Sequence, residues 1–253
     1  MRGEKVVLAA RRKAELEKVV VQCGPGALVV ATDVTQRSEV ERLRDEALHA
    51  FGGVDVWINN AGRGIGHAVL ELTDEDFDEM MAVNVKAALY GMQAVIPHFK
   101  ERGAGHLINV SSALGRVPFA SYRSVYSAAK AALNSLTANL RMDLRKDYPG
   151  IHVSLVMPPT VTTDFARNAL HGTPTPHGGF RSAASAQTAE QVAAAIVALI
   201  DHPRAELYTG PGQAEMVARY HVQGTGLLRG CGGVRGQPCA MNRATWAGEP
   251  VGV

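Results

Sequence analysis

A chain of 253 residues with 46% hydrophobic and 20% charged side chains suits one soluble globular domain with a sizeable core, and excludes disordered and fibrous classes. The formal net charge of +2, carried by scattered basic residues, gives no electrostatic reason to expect nucleic acid or an anionic membrane as partner. Cys23, Cys231 and Cys239 have neither disulfide-framework nor zinc spacing, the longest apolar run (192–200) falls far short of the roughly 20 residues of a membrane span, and the N-terminus has no signal-peptide pattern, so a cytoplasmic protein is expected.

Six short apolar runs read as strands, at residues 5–10, 27–32, 54–59, 106–110, 151–157 and 206–209. Most are rich in Val, Ile and Leu without alternation, which suits strands buried on both faces of a parallel sheet. Helical stretches lie between them at 13–22, 38–51, 74–102, 124–148 and 189–201. Thr73 with Asp76, and Thr188 with Gln191, have capping-box spacing and mark two helix starts. Strands alternating with helices predict an α/β fold, a doubly wound parallel sheet of Rossmann-like type, over residues 1–223. The glycine-rich stretch 224–253 reads as a disordered tail, and 173–179 as a second flexible segment.

The chemistry concentrates between Leu107 and Lys130. Tyr126 and Lys130 stand four apart on a predicted helix, so a phenol and an ammonium share one face. A phenol of free pKa about 10 works as an acid-base catalyst near neutrality only if a neighbouring positive charge favours its anion. Ser111 and Ser112, in the loop before that helix, are hydroxyl donors near the phenol. No GxSxG turn surrounds either serine, which argues against a serine nucleophile. The nine histidines show no HExxH or other metal-like cluster in sequence, and no metal is expected.

Two further motifs complete a pattern: Asn59-Asn60-Ala61-Gly62 ends an apolar run, and Asn84 lies in Met81-Ala-Val-Asn-Val85 within a periodic helix. Together with the serine and the YxxxK pair, in this order, they resemble the short-chain dehydrogenase/reductase family, from Val6 to about Tyr208. The resemblance implies Asn84, Ser112, Tyr126 and Lys130 as catalytic residues, with the choice between Ser111 and Ser112 open. It implies an asparagine that opens its helix to hold a water linked to Lys130. It implies that Arg11, Arg12, Asp33, Val34, Asn60, Ala61, Gly62, Tyr126, Lys130, Pro158, Val161 and Thr163 contact a dinucleotide. Arginines rather than an acid after the first strand favour NADP(H), because a guanidinium fork suits a 2′-phosphate. Pro159 stands where the family has glycine, which restricts the backbone of the nicotinamide pocket.

The resemblance also implies a small carbonyl or alcohol substrate and a homo-oligomer. In the family a central strand, a TGxxxGxG turn and a helix precede the stretch matching residues 5–10. Their absence before that stretch predicts a gap in the sheet between residues 5–10 and 54–59. Gly62, Gly64 and Gly66 follow a strand and offer a second phosphate-cradle candidate, but no long helix follows, so a mobile loop is expected. The rival to an oxidoreductase is a cofactor-deficient relative that binds or scaffolds.

Overall fold

The computed structural model describes residues 4–172 and 186–223. The expected flexible segment at 173–179 and the tail from 224 lie outside the described residues. The elements are β1 (Val6–Ala10), α1 (Lys13–Cys23), β2 (Ala27–Ala31), α2 (Arg37–Phe51), β3 (Val56–Asn59), α3 (Asp74–Met81), α4 (Ala87–Arg102), β4 (Gly105–Val110) and α5 (Ser124–Arg145). They continue with β5 (Ile151–Met157), β6 (Val161–Thr162), β7 (Gln187–Thr188), α6 (Ala189–Asp201), β8 (Glu206–Tyr208) and α7 (Gln213–Gln223).

All strand pairs are parallel, but the strands do not form one sheet. β1 pairs with β2, while β3, β4, β5 and β8 form a separate four-stranded sheet and β6 pairs with β7. The expected break thus falls between β1 and β3, whose facing edges do not pair. Both strands depart from the two-sided burial that their sequences predict. Val6 of β1 is 37% exposed and Ile58 of β3 is 42% exposed.

The four-stranded sheet holds the main core. Phe99, Leu107, Leu133 and Val95 are fully buried beside Met92, Ile151 and Val153, each large side chain contributing about 1.5–3 kcal/mol. A polar chain runs through this core. In the register of β3 and β4, Asn59 lies opposite Asn109, and its Nδ2 donates to Asn109 Oδ1 at 2.8 Å and to the Ala88 carbonyl of α4 at 3.2 Å. Trp57 Nε1 donates to Asn59 Oδ1, and Asn109 Nδ2 donates to Thr137 Oγ1 on α5. Gly91 lets α4 approach this closely, because a Cβ there would stand 2.1 Å from Asn59 Oδ1. Such satisfied buried networks join elements in one arrangement only.

Both capping boxes form: Thr73 Oγ1 accepts from the Asp76 amide, and Thr188 Oγ1 from the Gln191 amide. The single helix expected over 74–102 is in fact α3 and α4 joined by a π turn, Ala82–Lys86. The long helix expected to reach Tyr148 ends at Arg145. Helix α7 and the β6–β7 pair have no counterpart in the sequence-based expectations. The Gly62–Gly66 stretch is not the free loop expected. Gly66 N donates to the Leu170 carbonyl and Leu170 N to the Gly64 carbonyl, both at 2.9 Å, and Ile65 is fully buried.

Candidate active site

The loop after β4, the first turns of α5 and the π turn bring together Ser112, Tyr126, Lys130 and Asn84. Tyr126 and Lys130 sit on the buried face of α5, 7% and 3% exposed. The two serines separate cleanly. Ser111 is buried and donates to Asn134 Oδ1 at 2.5 Å, which ties the end of β4 to α5. Ser112 Oγ accepts from the Leu114 amide and lies close enough to the Tyr126 hydroxyl to favour its ionised form. Ser112 is therefore the serine that faces the phenol.

Burial raises the Tyr126 pKa, opposed by the Ser112 hydroxyl and by the charge of Arg123. Arg123 thus adds a second cation near the phenol beside the Lys130 expected from spacing. Lys130 Nζ lies 5.8 Å from the phenol ring centroid and donates to the Val110 carbonyl at 3.0 Å. Burial lowers the lysine's own pKa to about 8, so its ammonium can release a proton near neutrality. Arg123 precedes Tyr126 by one turn, is itself buried, and donates through Nη1 to the Ile65 carbonyl at 2.9 Å. Sequence reasoning missed it because its partners are remote in the chain.

Asn84 is buried within the π turn. Its Nδ2 donates to the Met80 and Arg63 carbonyls, and its Oδ1 accepts from the Arg63 amide. The turn opens the helix locally, as expected, and the amide fixes the loop after Gly62. A Cβ on Gly62 would stand 3.1 Å from Asn84 Oδ1 and 3.4 Å from Lys130 Nζ, so only glycine leaves Lys130 approachable there. Asn60, Ala61 and Gly62 are all exposed at this mouth. Phe165 closes the other side with its ring edge-on to Tyr126, centroids 5.6 Å apart.

Pro158 is buried and accepts from the Ala113 amide, Val161 is half-buried in β6, and Thr163 Oγ1 accepts from the Phe165 amide. Pro159 packs near Gly210, as a Cβ there would meet it at 3.1 Å. The residues expected at the far end of a dinucleotide lie on the other sheet. Arg11 and Arg12 are exposed after β1. Asp33 follows β2 and accepts from the Thr35 amide and hydroxyl. Burial pushes its pKa up, but the Thr35 bonds and the Arg11 charge outweigh it and hold the carboxyl low. Val34 is half-buried beside it.

These residues fit the two ends of a nicotinamide dinucleotide unequally. At one end Lys130 lies beside the exposed Gly62, and at the other Arg11 is exposed. Among the described residues, no glycine turn at the ends of β1 or β3 opens a helix longer than the three-residue turn Val69–Glu71, so the doubly charged middle lacks an N–H cradle there.

A family model described as short chain dehydrogenase matches residues 1–173. The chain belongs to the short chain dehydrogenase family, a family of oxidoreductases. An uncharacterized oxidoreductase of Staphylococcus aureus (strain MW2) is 38% identical over 162 residues, covering 64% of this chain and 69% of that protein. A short-chain dehydrogenase/reductase from Burkholderia phymatum, solved in complex with NAD, superposes with a TM-score of 0.76 at 26% identity, covering 94% of this chain and 89% of the other. The closed form of a serine dehydrogenase complexed with NADP+ gives 0.72 at 26% identity, over 83% and 86%. No described helix of this short chain dehydrogenase is long and apolar enough to cross a membrane.

Proposed function

We propose that the chain interconverts an alcohol and a ketone with NADP(H), using Ser112, Tyr126, Lys130 and Asn84. The observation that carries this reading is the convergence of Ser112, buried Tyr126 and buried Lys130 beside Gly62 and Asn84. A bound nicotinamide supplies or accepts the hydride. Ser112 Oγ holds the substrate oxygen, and Tyr126 Oη gives its proton to that oxygen in reduction and takes it back in oxidation. Lys130 Nζ, with its pKa near 8, holds the ribose and passes the proton onward, while Asn84 keeps the neighbouring loop and helix in register. Phe165 and Ile65 exclude water from the phenol. Arg11 and Arg12 receive the 2′-phosphate, and Asp33 and Val34 the adenine.

The break beside β1 favours a second reading, a relative that kept the site but binds dinucleotide too weakly to turn over. Calorimetric titration with NADPH and NADH, paired with an absorbance assay over a set of small hydrophobic ketones, tests both. Measurable NADPH-dependent turnover that exceeds the NADH rate supports the first reading. Absence of turnover at saturating NADPH defeats it.

A further inference from the structure

A cluster outside the proposed active site joins three segments far apart in sequence. His67 comes from the loop after β3, Asp76 from the first turn of α3, and His171 from the stretch after β6. His67 Nδ1 lies 3.1 Å from Asp76 Oδ2, and His171 Nε2 lies 2.6 Å from Asp76 Oδ1. The two imidazoles stack face to face, centroids 3.7 Å apart and 4° from parallel. One nitrogen of each ring and a carboxylate oxygen all lie within 4.8 Å of one another.

The surroundings prepare these groups to act as ligands. Asp76 is buried, and its two carboxylate oxygens each accept from one of the imidazoles. The Thr73 amide fixes Oδ2 from behind at 3.4 Å. His67 is anchored by its backbone, whose carbonyl accepts from Ser124 Oγ at 2.7 Å and which bridges Arg123. His171 alone among the described non-glycine residues has positive φ, at 55°, a conformation that requires support from its surroundings. Both rings reach solvent, which gives an ion an entry path.

We propose that His67, Asp76 and His171 bind one divalent transition-metal ion, of which Zn2+ is the type, through two imidazole nitrogens and one carboxylate oxygen with a water completing the shell. Imidazole nitrogens select such ions over Mg2+ and Ca2+, which require oxygen ligands. Ligand atoms about 2.1 Å from Zn2+ in a tetrahedron lie roughly 3.4 Å from each other, and the three ligand atoms here already lie within 4.8 Å of one another, so small side-chain rotations bring them into range. The parallel rings turn about their Cβ–Cγ bonds until both lone pairs converge, and each N–H proton now facing the carboxylate is released to solvent or moves to the other ring nitrogen.

The ion would be a clamp and takes no part in the reaction. Leu170, next to His171, bridges Ile65 and packs against the apolar cluster of Met80, Val125 and Tyr126. Tying His171 to the start of α3 therefore holds the 161–172 stretch over the phenol.

The test uses untagged full-length protein stripped with chelator, titrated with Zn2+ by calorimetry and with Co2+ by visible absorbance. One Zn2+ per chain and the intense absorbance of four-coordinate Co2+ are expected, with Mg2+ failing to compete. His171→Ala, which leaves the α3 cap intact, should weaken binding by more than the roughly 10- to 100-fold typical of losing an outer-shell partner. His67→Ala should do the same, and circular dichroism verifies that both variants fold. Failure of the wild type to bind one ion per chain would overturn the proposal and leave the cluster a hydrogen-bonded strut. Unchanged affinity in the His67→Ala, His171→Ala double variant would overturn it equally. None of these readouts depends on the proposed NADP(H) reaction.

Discussion

The two sheets of this molecule are built to different standards. Around β3, β4, β5 and β8 the strands are covered by α4 and α5, side chains such as Leu107, Ile108 and Leu155 are fully buried, and the Asn59–Asn109–Thr137 chain ties the layers together. Around β1 and β2, helix α1 buries none of its residues, and β1 keeps an unpaired edge toward β3. The residues proposed for proton transfer stand on the first sheet, and those proposed for the phosphate and adenine on the second. The proposed proton-transfer residues thus stand in the better-buried part of the fold, and the proposed phosphate and adenine contacts in a part joined to it through α2 and α4.

The largest expected effect tests the well-packed half. Tyr126→Phe keeps the ring against Phe165 but removes the transferable proton, so turnover should fall by about two to four orders of magnitude with little change in melting temperature. Near wild-type turnover would remove Tyr126 from the chemistry and with it the functional meaning of that half.

Lys130 gives the next. Its proton leaves at about pH 8 in the folded state, against 10.5 for an ordinary lysine. Between those values the unfolded chain holds more protons, so stability rises with pH across that window, and below about pH 8 the buried charge exerts its full penalty of about 3 kcal/mol. Loss of the Nζ bond to the Val110 carbonyl offsets about 1 kcal/mol of this. Lys130→Met should therefore melt higher than wild type at pH 7, with the gap closing toward pH 10.5. A gap that does not change with pH would mean that the lysine is not desolvated. In the same enzyme, Arg123→Met should move the Tyr126 limb of the pH–rate profile upward more than Lys130→Met does.

Arg11→Ala probes the looser half. A charge-assisted bond to phosphate contributes about 1.5 to 3 kcal/mol, so NADPH binding should weaken by roughly 10- to 100-fold while NADH binding changes little. Equal losses for both cofactors would end the 2′-phosphate assignment. The smallest effect needs no substitution. Native-state hydrogen exchange should find the amides of β1 and β2 at least about tenfold less protected than those of β4 and β5. Equal protection would show that the two sheets unfold as one unit.

Much of this organisation was legible in the sequence because it is local. Apolar runs without alternation marked the strands, Thr73 and Thr188 marked helix starts, and the i, i+4 spacing put Tyr126 and Lys130 on one face. The break in the sheet was also expected, from the motif order rather than from any residue. What the sequence hid depends on contacts between distant segments. Arg123 matters through Ile65 and the phenol, and the pairing of Asp76 with His171 spans 95 positions. The pinning of Gly66 by Leu170 likewise has no local signature, so a glycine-rich stretch read as mobile is held at both ends. Spacing placed Lys130 by the phenol, where its Nζ lies 5.8 Å from the ring centroid, but did not single out Arg123, whose charge also acts on the hydroxyl.

The π turn at Ala82–Lys86 works as a phase shifter between two helices that would otherwise be one. One residue of insertion rotates everything after it by about 100° about the axis. Met80, before the step, faces Ile65 and Tyr126, whereas Met92, Val95 and Phe99, after it, face β4 and the main core. A one-residue deletion within this turn would restore regular winding and force a choice between those two faces, so a chain that kept its core would swing Asn84 away from Arg63 and Met80. The local irregularity that looks like a defect in the helix is what allows a single continuous rod to serve two differently oriented interiors.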